Sequence, residues 1–247
     1  LYRRAWDNAY NVRTGYECVY PLKSASSDYT AHEPLETRKG EVRDIIKTWE
    51  RTYKANQWNK YATFDNKGSF SRPYVLFKSK NITRPDIRAK KWDATRPIAP
   101  QVKHPMRRLF RLTGRAWSFI TSNIPGEHFV LNHCGQVPAF LNQVERDLGS
   151  RGDLQVAIKD IEGCFPNMDK EATRLGLAHT TTAIRKEMGH DAVFVPVRGK
   201  GPCRWSAMKG CVKLPFAMLH GVMNFALENT LVTDLDGQLR KQVKGIP

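Results

Sequence analysis

Apolar and polar positions alternate along this chain in several distinct periods. From Thr37 to about Tyr61 the period is helical. Ile45, Ile46, Trp49 and Tyr53 form one stripe, Arg43, Lys47, Arg51 and Lys54 face elsewhere, and Thr37 stands where an N-cap is expected. Phe70 to Phe77 reads as a short strand. Lys90 to Pro100 reads as an extended segment pinned by Pro97 and Pro100. His104 to Ile124 is the strongest amphipathic helix. Met106, Leu109, Phe110, Thr113, Trp117, Ile120 and Ile124 keep helical spacing, and Arg107, Arg108, Arg111 and Arg115 share the opposite side.

Further along, Pro138 to Leu148 predicts a helix. Gly149 to Gly152 then leads into a strand over Leu154 to Lys159, and a second helix follows over Lys170 to Met188. Val193 to Val197 and Cys203 to Trp205 predict a hairpin with the basic tip Arg198-Gly199-Lys200-Gly201. Pro215 to Leu231 is helical, with Phe216, Leu219, Met223 and Leu227 aligned. Leu231 to Leu235 and Gln238 to Val243 flank Asp236-Gly237, the clearest hairpin signal in the chain. Leu1 to Tyr20 shows no clean periodicity, and Ser24 to Asp28 is loop-like. No repeat and no clean linker appears.

The 247 residues are 40% hydrophobic, enough for a sizeable core, and no apolar run approaches the ~18 residues of a membrane span. Charge is the outlying property. A net +16 favours a polyanionic partner, because Lys and Arg release counterions from phosphates on binding. The densest basic region runs from Arg84 to Arg115, with ten Lys/Arg against two Asp. Charge runs are usually solvated faces. Four arginines with no acid between them favour instead a face that tracks phosphates. Five scattered cysteines show neither zinc spacing nor a disulfide framework, and His128, His133 and Cys134 lack a second ligand pair. The expectation is a reduced, intracellular protein without a resident cofactor. The chain opens at Leu1 rather than Met and carries no tag, as expected of a segment of a larger native assembly. A removed targeting peptide ahead of Leu1 is compatible with this.

One stretch carries candidate chemistry. Leu154 to Lys159 is a short apolar run ending in Asp160, and Phe165 follows five residues later. Two-metal phosphoryl transfer requires carboxylates at rigid strand ends holding Mg²⁺ ions ~4 Å apart. By itself, an Asp closing a strand is more often a turn residue. The order of its neighbours changes the reading: Lys90, Lys91 and Arg96-Pro97-Ile98 lie upstream, and Gly245-Ile246-Pro247 follows the last hairpin.

In that order the chain resembles the reverse transcriptases of non-retroviral retroelements, over Lys90 to Pro247. The resemblance implies that Arg96, with Lys90 or Lys91, contacts the incoming triphosphate. It implies that Asp160 and the Ile161 carbonyl hold metal, and that Phe165 is the steric gate under the deoxyribose. It further implies an α+β fold, with fingers and a partial palm whose antiparallel sheet is covered by helices and includes Leu154 to Lys159. Residues 1–83 would be an N-terminal extension, 84–150 a fingers-like region and 151–247 the partial palm. The paired-Asp turn that completes the family's metal site follows the Gly-Ile-Pro motif and is not among these residues, and Asp234 and Asp236, in a hairpin tip, do not replace it. One carboxylate does not hold two metals.

Three functions follow as expectations. The first is an RNA-binding component of a ribonucleoprotein, with an organellar, mitochondrial ribosome as its setting. In it Arg107, Arg108, Arg111, Arg115, Arg198 and Lys200 meet RNA, while Trp92, Trp117 and Trp205 are candidates for stacking on unpaired bases. The second is part of an active RNA-directed DNA polymerase using Mg²⁺, completed by another polypeptide. The third is a protein scaffold with incidental charge. A half palm also leaves an open strand edge, so a partner chain or RNA is expected at the C-terminal side.

Overall fold

The central helix binds the chain together because its apolar stripe is wider than a surface helix needs. The computed structural model describes residues 16–18, 35–70, 72–77, 95–126, 134–149, 168–198, 201–233 and 239–243. In chain order the elements are β1 (Tyr16–Cys18), α1 (Leu35–Ala55), β2 (Tyr74–Phe77), β3 (Thr95–Ile98), α2 (Arg107–Thr121), α3 (Val137–Leu148), α4 (Lys170–Met188), β4 (Ala192–Pro196), β5 (Cys211–Pro215), α5 (Phe216–Glu228), β6 (Leu231–Thr233) and β7 (Leu239–Gln242). The fold is α+β, with small antiparallel sheets among helices.

On α2, Leu109, Leu112, Ala116, Trp117 and Ile120 are buried. Leu112 and Ala116 broaden the stripe beyond the positions read from periodicity. Around it close Tyr53 and Trp58 from the N-terminal third, Ile184 from α4, Val193, Val195 and Leu214 from the β4–β5 pair, and Phe216, Leu219 and Val222 from α5. A smaller cluster joins Ile46, Trp49 and Phe70 to Leu231 and Leu239. Both clusters therefore draw on residues far apart in sequence.

Several elements differ from their sequence expectation for local reasons. α1 begins at Leu35, so Thr37 lies inside the helix rather than capping it. β2 is shorter than Phe70 to Phe77: Pro73 has no N–H to donate, and Phe70 is buried in the smaller cluster instead. α2 begins at Arg107, because His104 to Met106 form a turn in which His104 Nδ1 accepts the Met106 N–H at 3.0 Å. The β4 hairpin has a different partner. Its ladder forms with β5, pairing Val193 with Leu214 and Val195 with Val212, whereas Cys203 to Trp205 contribute a single bridge, Arg204 to Phe194. β5 wins because Leu214 adds a fully buried side chain beside Val193 and Val195.

The expected extent of Lys170 to Met188 is reproduced by α4. Asp169 caps it by accepting the Glu171 N–H at 3.0 Å, and Gly189 ends it at φ 72°. Arg174 ties α4 to α5 through Glu228 and through Asn224 at 3.2 Å. The last hairpin also forms, β6 against β7. The far edge of β7 is not open: β1 pairs with it, Tyr16 opposite Gln242, so β7 is the central strand of the order β1-β7-β6. The edges of this sheet are therefore β1 and β6. The strand expected over Leu154 to Lys159 and the turn at Asp236-Gly237 lie outside the described residues.

His104 sits beneath Trp49, Phe70 and Phe110, with centroids 5.1, 6.4 and 4.8 Å away, and is 4% exposed. Burial pushes its imidazole down to about 4. Since an unfolded histidine titrates near ~6.5, the neutral form is favoured by folding. The contribution is complete above that value and is lost as pH falls toward 4, amounting to about 3 kcal/mol. Urea unfolding of the wild type between pH 7 and 4 should show this loss. His104→Phe should be less stable at pH 7 but flatter over the same window.

Two glycines separate space from strain. A Cβ on Gly68 would lie 2.8 Å from the Pro105 backbone, whereas one on Gly114, in mid-helix, meets nothing within 4 Å. Gly68→Ala should lose about 1–3 kcal/mol through overpacking. Gly114→Ala should gain about 0.5–1 kcal/mol in the same chemical-denaturation measurement.

Candidate nucleic-acid interface

The outer side of α2 carries a row of cations. Arg107, Arg111 and Arg115 succeed one another at i, i+4, so the cations span about 12 Å at the helical rise of ~1.5 Å per residue, with Phe119 next in the row. Arg108 lies beside it. Packing of the opposite stripe fixes the orientation of the row.

Each arginine has its own local anchoring. Arg107 donates from Nη1 to the Val102 carbonyl at 2.9 Å and lies 3.5 Å from the Asp65 carboxylate. Arg108 donates to the Thr63 hydroxyl. Arg111 is exposed and has no hydrogen bond or ion pair among the described residues. A guanidinium has five N–H donors, so Arg107 and Arg108 keep donors free while their stems are steadied.

Arg115 differs from the expected phosphate-tracking cation. Half-buried, it donates from Nη1 to the Pro196 carbonyl at 2.8 Å and from Nη2 to the Gly201 carbonyl. Its own carbonyl accepts the Cys203 thiol at 3.7 Å, and burial pushes that thiol upward, keeping it protonated as a donor. These contacts clasp the segment after β4 onto α2. The exposed Arg198 lies between those two carbonyls in sequence, so Arg115 ties a second basic stretch, over eighty residues away in the chain, to α2. Periodicity showed both stretches and had no means of showing that Arg115 joins them.

The other predicted site residues divide simply. Lys90, Lys91, Asp160, Ile161, Phe165 and Lys200 lie outside the described residues, as does Trp92. Arg96 lies in β3, its backbone opposite Leu76 of β2. Trp117 is buried in the main cluster, which removes it as a stacking surface, whereas Trp205 is half-buried. His190, which sequence reading passed over, lies parallel to Trp205, their rings 7° apart in orientation with centroids 4.9 Å apart. Only the pairing of β4 with Arg204 brings them together, and no local sequence signal marks it.

Elsewhere, an open groove of about 330 Å³ lies between α1 and the β6–β7 hairpin. Asp44 and Glu228 line it with Lys241 over Trp49 and Leu231, a mixed-charge lining unlike the ridge. Among the described residues no group of three or more His, Cys, Asp or Glu converges as a metal site, and no helix is long and apolar enough to cross a membrane. No protein-family model, curated protein or solved structure matches the chain.

The clasp is open to direct test. Arg115→Ala should lower stability by about 1–3 kcal/mol, as expected when buried acceptors lose a charged donor. Hydrogen exchange should accelerate at residues 197–203 more than elsewhere. Arg115→Lys should behave nearly as poorly, because an ammonium cannot fork to two carbonyls.

Proposed function

We propose that this chain is an RNA-binding component of a ribonucleoprotein, descended from a reverse transcriptase and holding RNA through its sugar-phosphate backbone. The supporting observation is the joining of the α2 arginine ridge to the Arg198 segment by Arg115. It sets guanidiniums along about 12 Å of α2 in a chain of net charge +16. Guanidinium forks match phosphate oxygens, and an A-form duplex is recognised by shape and backbone rather than by sequence. The ancestry rests on Arg96-Pro97-Ile98, Asp160, Phe165 and Gly245-Ile246-Pro247 in order. The proposed setting is an organellar ribosome, with protein neighbours as well as RNA.

A second reading, part of an active RNA-directed DNA polymerase, is favoured by the retained spacing of Asp160 and Phe165. It requires further carboxylates and Mg²⁺.

Fluorescence anisotropy on a labelled RNA duplex, from 50 to 300 mM KCl, tests the first reading. Affinity should fall steeply with salt, and Arg107→Glu/Arg108→Glu/Arg111→Glu should weaken it ~10-fold or more and flatten the salt slope. Asp160→Ala should bind as the wild type does. Salt-independent binding, or an unaffected triple variant, would sink the RNA reading. DNA synthesis that disappears with Asp160→Ala would favour the polymerase.

A further inference from the structure

The arginine ridge does not end at Arg115. Its next position is Phe119, whose ring lies 4.8 Å from that of Trp205, and Trp205 in turn carries His190 stacked at 4.9 Å. Trp205 is braced from the core by Phe216, centroids 6.4 Å apart, and Arg185 lies 5.9 Å over that same Phe216 ring. A cationic row therefore leads into an aromatic stack whose inner members are wedged in place.

The outer member is part-exposed. His190 is only half-buried, its one ring neighbour among the described residues is Trp205, and neither ring makes a hydrogen bond there. Both rings are part-exposed and neither ring nitrogen is a buried group, so both are open to solvent or a ligand. Here a flat, wettable ring lies parallel to a braced indole; the exposed Arg204 precedes that indole in the chain, and the exposed Arg185 lies over Phe216, which braces it.

We propose that His190 on Trp205 is a stacking platform for an unpaired RNA base, receiving a strand whose phosphates run along Arg111 and Arg198. This rests on the RNA-binding reading and adds to it the strand class: single-stranded RNA, or the unpaired end of a duplex. A base extends the stack by lying against the imidazole. Arginines nearby hold the phosphates on either side, the usual division of labour in sequence-tolerant single-strand binding. A paired base inside a duplex offers no free face and does not reach the platform.

The test uses the full chain and three labelled probes in anisotropy: a twelve-nucleotide poly(A) strand, an abasic strand of equal length and charge, and a twelve-base-pair RNA duplex. The wild type should bind the adenine strand on the order of tenfold more tightly than the abasic strand. His190→Ala should remove that difference and leave duplex affinity unchanged. His190→Phe, which keeps a flat face, should restore it, and circular dichroism should show all variants folded. Equal wild-type affinity for adenine and abasic strands overturns the platform, as does a His190→Ala variant that still discriminates between them. Either result leaves duplex binding, and with it the broader RNA reading, standing. Failure to bind any of the three overturns both.

Discussion

One helix has to satisfy two incompatible environments, and the remainder of the structure follows from how it does so. Between Arg107 and Thr121 the side facing β4, α4 and α5 is stripped of water, with Leu109, Ala116 and Ile120 fully buried. The reverse side holds guanidiniums that cannot be desolvated without partners. Burial of the first side determines the direction of the second. A cation row read off a helical wheel acquires a defined position only because the stripe behind it is immobilised by residues from three other elements.

Arg115 stands at the border between these environments, which explains its departure from its neighbours. Half-buried, it meets the carbonyls of Pro196 and Gly201 before it can meet solvent. Burial near a helix edge turned a surface cation into a structural one. The same principle acts on His104, where an imidazole enclosed by Trp49, Phe70 and Phe110 serves as a neutral acceptor.

Legibility from sequence tracked the range of the deciding interaction. α4 was readable to the residue because its signals are local: the Asp169 cap, the apolar spacing and Gly189. α5 and the final hairpin were readable for similar reasons, as was the basic character of α2. The β4 pairing was not, because Cys203 to Trp205 and Cys211 to Pro215 are both plausible strands, and only the buried contacts of Leu214 choose between them. β1 gave no signal at all. Three residues beside β7 need no period of their own when a partner strand supplies the hydrogen bonds. At the candidate site the cations were visible one by one, while their joining by Arg115 and the His190–Trp205 pair depend on contacts between distant segments. The carboxylate motif at Asp160 is a reading of sequence order and lies outside the described residues.

The placement of β1 against β7 has a consequence for the life of the chain during synthesis. Cys18 leaves the ribosome long before its partner Arg240 has been added. At ~5–20 residues per second, the first strand waits roughly ten to forty seconds with its backbone groups unpaired. Among the described elements, the three-stranded sheet is therefore the last that can close. Until then β1 depends on whatever in the cell shields nascent strands from one another.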